Sequence, residues 1–244
     1  MKILKFLWEI IFPNHCLSCE KIISFDGLFC EKCWMKLQFI SEPKCQICAY
    51  PFEFQGLNLL CGKCLTQKPS FDHTITIFRY NHILKKIIAA LKYRDQTFLG
   101  KKFARILFDK AKHEIRDCDL MVAVPLHVKR LRKRKFNQAV LLAKNLLKLV
   151  PELQFFPDLL IRTKNTKTQI ELRKKERESN LKNVFILNEK YRERLGGKKI
   201  LLLDDVMTTA ATLENCAKIL KKHGAKKVVV LTIAKSVFGG LDAV

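Results

Sequence analysis

The sequence predicts an α/β protein, a parallel sheet flanked by helices, with a small cysteine-rich module ahead of it. Three observations carry this. Over residues 71–244, apolar runs of strand length alternate with helical patterns and are joined by short links, as βαβ units require. Two of those runs, "KKILLL" (198–203) and "AKKVVVLTIA" (225–234), are apolar almost throughout, which fits strands buried on both faces. Eight of the ten cysteines lie in residues 16–64, arranged as four Cys-x-x-Cys pairs.

In chain order, "MKILKFLWEIIFP" puts Ile3, Leu4, Leu7, Ile10 and Ile11 at helical spacing. This predicts a short amphipathic helix packed on the metal module, with a membrane-surface role as the alternative. Glu9 interrupts the apolar run and no small-residue cleavage site follows, so the segment does not read as a secretory signal. Residues 14–65 are turns between cysteine pairs. "PSFDH" (69–73) marks the boundary between a first unit, 1–70, and a second, 71–244. "TITIFRY" (74–80) is strand-like, residues 83–93 and 98–115 are helical, and "DLMVAV" (119–124) is a strand stopped by Pro125. Residues 136–150 read as a helix, "DLLIRT" (158–163) and "NVFIL" (183–187) as strands with a charged loop and short helix between. "KKILLL" is followed by a helix over 212–223 that Gly224 caps, and "AKKVVVLTIA" is the last strand. No run reaches 18 consecutive apolar residues, so no membrane span is predicted.

The chain of 244 residues carries 46 Lys and Arg against 23 Asp and Glu. The excess is uneven: residues 1–70 balance at +2 and residues 71–244 at +21. A charge of that size on the second unit points to a polyanionic partner, a nucleic acid, a phosphorylated metabolite or an anionic membrane. With 48% apolar residues the chain has material for a packed core.

The cysteines form two sets, Cys16, Cys19, Cys30 and Cys33, then Cys45, Cys48, Cys61 and Cys64. Each set offers four thiolates, the closed shell of structural zinc, so one or two Zn2+ are predicted. A complete shell leaves no open position for catalysis. The spacing allows the pairs to join in sequence or to interleave. Cys118 and Cys216 fall in strand and helix contexts and read as buried structural residues.

The stretch "ILLLDDVMTTAATL" (200–213) carries the chemistry. A buried strand ends in Asp204 and Asp205, and a short loop turns into a helix. Ligands of open α/β sheets bind at the carboxyl ends of strands. Two carboxylates can accept hydrogen bonds from vicinal ribose hydroxyls or hold a divalent cation through water. Backbone N–H groups at a helix start bind phosphate, and Thr208, Thr209 and Thr212 add hydroxyl donors. One loop thus offers contacts to both ends of a 5-phosphoribosyl group.

"LLLDDVMTTAAT" resembles the 5-phosphoribosyl-1-pyrophosphate (PRPP) motif of type I phosphoribosyltransferases. The chain further resembles the ComF family of competence proteins, through "VPLHVKRLRKRKFNQA" (124–139), "RTKNTKTQIELRKKERESNLKNVF" (162–185), "FRYNHILKKIIAALKYR" (78–94) and the N-terminal cysteine pairs. These ordered motifs span nearly the whole chain. The resemblance implies a type I phosphoribosyltransferase-like sheet after a zinc-ribbon-like module. It assigns ribose hydroxyls or Mg2+ to Asp204 and Asp205, and the 5-phosphate to Thr208, Thr209, Ala210, Ala211 and Thr212. It assigns pyrophosphate, bridged by Mg2+, to the loop of Pro125, Leu126, His127 and Lys129.

Two departures stand out. Ala210 and Lys135 occupy positions where the family carries glycine, and at a positive φ an alanine is disfavoured by about 1 kcal/mol. Thr208 stands where purine-type members carry an acidic residue, which points away from purine salvage.

The basic runs "KRLRKRKF" (129–136) and 162–182 flank the proposed site. Arg130, Arg132, Lys133, Arg134, Arg173, Lys174 and Arg177 are the residues expected to meet phosphates of PRPP or of DNA. Tyr80, Tyr93, Phe136, Phe155 and Phe156 are candidates for stacking on bases. No sequence-reading module is visible. Together with the basic second unit, the ComF resemblance, whose family role is DNA uptake, implies handling of single-stranded DNA in the cytoplasm, at the inner face of the membrane, during natural transformation. The partners expected from the resemblance are single-stranded DNA, PRPP or a related phosphoribosyl compound, and a competence helicase of the ComFA type. The alternative is a catalytically active phosphoribosyltransferase of nucleotide-related metabolism.

Overall fold

A computed structural model describes residues 13–23, 27–56, 59–93, 96–164 and 184–237. The N-terminal amphipathic helix and Arg173, Lys174 and Arg177 lie outside these residues.

The centre is a five-stranded sheet in the order β3-β9-β8-β4-β5, parallel throughout. Its strands are β3 (His73–Arg79), β4 (Leu120–Ala123), β5 (Gln154–Phe155), β8 (Lys199–Met207) and β9 (Lys227–Lys235). The central pair β8 and β9 is buried almost along its whole length, which explains the unbroken apolar runs of these two strands. A separate antiparallel pair joins β6 (Leu160–Arg162) to β7 (Phe185–Leu187).

Helices cover both faces. On one face α3 (His82–Tyr93), α4 (Phe98–Arg116) and α6 (Gln138–Leu147) bury Ile87, Phe103 and Leu142 against Leu201, Leu203 and Leu231. On the other, α7 (Ala211–Lys222) buries Leu213, Cys216 and Leu220 against Ile200, Leu202 and Val230. The alternation of side chains along each strand distributes the two cores. Helix α7 ends where Gly224 takes φ +92°, a left-handed value that glycine adopts without a Cβ clash.

The cysteine-rich segment forms two units built alike. In the first, β1 (Asn14–His15) pairs with β2 (Ile22–Ile23), and α1 (Glu31–Trp34) carries Cys33. In the second, α2 (Gly62–Thr66) carries Cys64. Both turns repeat the same bonds: Glu20 N–H donates to Cys16 O and Ala49 N–H to Cys45 O, each at 2.8 Å. Glu20 and Ala49 both take positive φ there, +62° and +55°.

The two units dock on opposite faces of the sheet. Cys16, Cys33, Leu28 and Phe29 share the core of α3 and α4, whereas Cys45, Cys48, Cys64 and Phe71 share the core of α7. Residues 38–40 between them run along β3, with Ile40 N–H on Ile77 O and Arg79 N–H on Gln38 O, both 2.8 Å. Phe39 packs on Phe78 there, with ring centroids 4.9 Å apart.

Three elements depart from the sequence reading. Strand β8 runs on to Met207, so Asp204 and Asp205 lie inside it. The parallel pairing with β9 (Asp204 opposite Thr232, Met207 opposite Lys235) extends the strand past the apolar run. Helix α5 (Val128–Arg134) occupies the basic run, where six charged residues conceal the periodicity of Val128 and Leu131. The two-residue edge strand β5 is too short to leave a sequence pattern.

Candidate functional site

Each cysteine set converges. The Sγ atoms of Cys16, Cys19, Cys30 and Cys33 lie within 4.8 Å of one another, as do those of Cys45, Cys48, Cys61 and Cys64. The pairs therefore join in sequence and do not interleave. Cys19 to Cys30 and Cys48 to Cys61 are each 3.6 Å, close to the ~3.8 Å edge of a tetrahedron with ~2.3 Å Zn–S bonds. The residues fit structural zinc twice, and zinc there would supply cross-linking and charge compensation only. Burial pushes the Cys33 and Cys64 thiols up to about 12, so these groups resist ionisation until a dication sits among them. Cys118 and Cys216 are buried, and burial raises both thiols, consistent with inert core residues.

The loop from Thr208 to Ala210 links β8 to α7 at the carboxyl end of the sheet. Ala210 takes φ +64°, ψ −7°, and is the residue before the first turn of α7. It adopts the left-handed conformation that the family supplies with glycine. Lys135, which closes α5, also takes φ +64°. Thr208 is exposed, and Thr209, Ala211 and Thr212 are half-buried around the helix start.

The two aspartates differ in role. Asp205 is buried and its Oδ2 lies 2.7 Å from Lys92 Nζ at the end of α3. Asp204 accepts the Asp205 backbone N–H on Oδ1 at 2.8 Å. Burial and then the charge of Asp205 raise the Asp204 carboxyl to about 7. Arg162, at the end of β6, faces this group: burial and then the Arg130 charge pull its guanidinium down, while Asp204 opposes them. Arg130 is lowered by burial and then by Arg134. Arg162 thus feels the charge of Asp204 and, from α5, those of Arg130 and Arg134.

Helix α5 is held in place by residues on either side of it. His127 Nδ1 accepts the Lys129 N–H at 3.2 Å, capping α5. Asn137 caps α6 through Ala139 N–H at 2.9 Å and donates to Val124 O at 2.9 Å, tying the end of β4 to the helix start. Arg134 donates to Gln138 Oε1 at 3.3 Å and to Tyr93 OH at 3.1 Å, with its guanidinium 5.2 Å from the Tyr93 ring centre. Lys129, Arg132 and Lys133 are exposed, Leu126 and His127 half-buried, and Pro125 buried. Among the proposed stacking residues, Tyr93 is exposed beside Arg134, whereas Tyr80 and Phe155 pack on the core, and Phe156 packs on Tyr191 at 4.7 Å.

Sequence reasoning missed the contribution of the second cysteine unit to this site. Lys63, between Cys61 and Cys64, donates to Thr209 O in the loop from β8 to α7 at 3.3 Å. Ser70 places its N–H and its Oγ on the two oxygens of Glu214, each at 2.8 Å, in the first turn of α7. Lys92 and Lys235 were also unmarked, and Arg162 was marked only as the first residue of the basic run 162–182. Their signal lay only in their position at strand and helix ends facing the loop.

Residues 7–65 match the double zinc ribbon domain family, and residues 137–237 match the phosphoribosyl transferase domain family. Competence protein F of Haemophilus influenzae is 31% identical over 234 residues, covering 92% of this chain and 98% of the relative. The DNA utilization protein YhgH of Escherichia coli is 30% identical over 230 residues, covering 92% and 98%. Competence protein ComFC of Bacillus subtilis is 27% identical over 248 residues, covering 91% and 95%. Among solved structures, a purine phosphoribosyltransferase from Pyrococcus horikoshii is 17% identical, covers 55% of this chain and 70% of its own, and superposes with a TM-score of 0.35. Two complete four-cysteine shells, a parallel sheet whose strand β8 carries Asp204 and Asp205 ahead of a threonine-rich loop, and near full-length similarity to Competence protein F agree: the chain belongs to the ComF family of competence proteins.

Proposed function

We propose that this protein handles single-stranded DNA on the cytoplasmic side of the membrane during natural transformation, through a site that binds PRPP. The observation that carries the reading is Asp204 in β8, just ahead of the loop into α7, with the charge of Arg162 acting on it and those of Arg130 and Arg134 acting on Arg162. Loop amides and the helix dipole suit the 5-phosphate, Asp204 suits the ribose hydroxyls, and the arginines suit the pyrophosphate. Asp204 would hold Mg2+ through water, and the ion would offset the charge of the pyrophosphate. Asp205 supports the site from below by holding Lys92.

The exposed cations of α5 (Lys129, Arg132 and Lys133) with Lys135 beside them extend this field outward. They suit a nucleic-acid backbone without sequence preference, and Tyr93 beside Arg134 suits one unstacked base. The names of the relatives, competence and DNA utilization proteins, support the same reading. No helix among the described residues is long and apolar enough to cross a membrane. A helicase of the ComFA type is the partner proposed from the family.

The test is a titration of oligo(dT) across a salt series, with and without PRPP. The reading expects binding at low salt that weakens steeply as salt rises, as release of several phosphate counterions requires. Negligible binding at low salt refutes DNA handling. Pyrophosphate release from PRPP with a panel of bases tests the alternative, a catalytically active phosphoribosyltransferase.

A further inference from the structure

The two four-cysteine shells are alike in spacing and unlike in surroundings. In the second, Cys45, Cys48 and Cys64 are buried in the core shared with α7, and Cys61 is half-buried against it. In the first, Cys16 and Cys33 are buried in the core shared with α3 and α4, Cys30 is half-buried and Cys19 is exposed. Cys19 thus brings one sulfur of the first shell to the solvent.

The charges around the shells differ as well. Four thiolates around one Zn2+ carry a net charge of about −2. A buried shell of that charge calls for a compensating cation, whereas an exposed one is compensated by water. Lys235, the last residue of β9, is 6% exposed, and its Nζ lies 3.6 Å from the Met207 sulfur. Burial pulls its ammonium down, and the charges of Cys48, Cys61 and Cys64 oppose this. Lys235 is therefore the counter-charge of the second shell. Among the described residues, no ammonium stands with the groups that act most on Cys16 and Cys33. Burial apart, those are the backbone around the cysteines, Ser18 and the other thiols of the shell.

Zinc makes all eight sulfurs thiolates, so ionisation does not separate the shells. Access to the sulfur and the charge held beside it do, and both single out the first shell.

We propose that the first shell is a thiol-oxidation site, entered at Cys19 by peroxides, and that burial together with Lys235 guards the second shell from the same attack. The Cys19 thiolate attacks one peroxide oxygen, the O–O bond breaks, a sulfenic acid forms and hydroxide leaves. Cys30, whose Sγ is 3.6 Å away, displaces the sulfenic oxygen as a second hydroxide and closes a disulfide. Two electrons have then passed from sulfur to peroxide. Cys16 and Cys33 alone do not complete a shell, and their hold on Zn2+ is lost. The second unit keeps its shell and its contacts from Lys63 to Thr209 and from Ser70 to Glu214.

The experiment follows zinc release from the full, zinc-loaded chain with a chromogenic chelator after addition of hydrogen peroxide. Mass spectrometry of quenched samples locates the oxidised cysteines. The wild-type protein is expected to release its zinc in two steps of one ion per chain, the first faster by about tenfold or more. The first oxidation product should be the Cys19–Cys30 disulfide. Lys235→Met should accelerate the slow step and leave the fast one unchanged, and Lys235→Arg should keep the slow step slow. Thermal midpoint and zinc content show that each variant is folded, and the wild-type order stands without any variant. Release of both ions at one rate, or first oxidation at Cys45, Cys48, Cys61 or Cys64, overturns the inference. A slow step that Lys235→Met leaves unchanged overturns the part given to Lys235.

Discussion

Lys92 Nζ stands 2.7 Å from Asp205 Oδ2, joining the end of α3 to β8 ahead of the loop into α7. The contact divides the labour of two adjacent carboxylates. Asp205 is buried and paired with Lys92, and Asp204 is the half-buried carboxylate to which the proposed function gives the ribose. The positive charge around the site comes from Lys92 below and the arginines of α5 and β6 beside it.

Breaking that buried pair from one side should be costly. Lys92→Met leaves a buried carboxylate without its partner and should destabilise the protein by about 3 kcal/mol. Adding Asp205→Asn to Lys92→Met should restore much of the loss. Urea unfolding of the two single variants and the double variant checks this, and additive losses would mean that the pair is uncoupled.

Asp204 gives stability a pH dependence of unusual sign. Its folded pKa is raised to about 7 from an ordinary value of 3.8, so between these values the folded state holds a proton that the unfolded state has released. The contribution of this group to stability therefore falls as pH rises from about 4 to about 7, and is flat above. Denaturation in magnesium-free buffer at pH 5.5 and pH 8 should show the slope in the wild type and a flatter one in Asp204→Asn.

Ala210 and Lys135 both sit at φ +64°. Replacing either with glycine relieves the Cβ clash but loosens the unfolded chain, for a net gain of about 0.5–1 kcal/mol. Thermal midpoints should rise for Ala210→Gly and Lys135→Gly. A fall in either would mean that the side chain makes contacts worth more than the strain.

Metal analysis should find two zinc ions per chain, and Cys61→Ser should lose one of them. Because Lys63 and Ser70 anchor the second unit to Thr209 and Glu214, loss of that zinc should also weaken PRPP binding. Loss of the first zinc, on the opposite face, should affect it less.

Much of this was legible in the sequence. The Cys-x-x-Cys spacing marked both metal shells because a zinc knuckle is a local structure. Long apolar runs marked β8 and β9, and Ala210 was marked by its conflict with the family glycine, which its left-handed φ explains. What was not legible is long-range. The Lys92–Asp205 pair joins residues 113 positions apart, and Lys63 reaches Thr209 across 146. No local periodicity encodes such contacts. The docking of the two zinc units on opposite faces depends on the strand-like passage of residues 38–40 along β3, whose sequence has no strand pattern of its own.

The most direct test is calorimetric titration of PRPP with Mg2+ into the wild-type protein and into Asp204→Asn, both zinc-loaded. The site described here expects saturable binding at one site per chain, weakened about tenfold or more by the substitution, in line with loss of a charged hydrogen bond. Absence of PRPP binding in the wild type, or equal affinity in the two proteins, would contradict it.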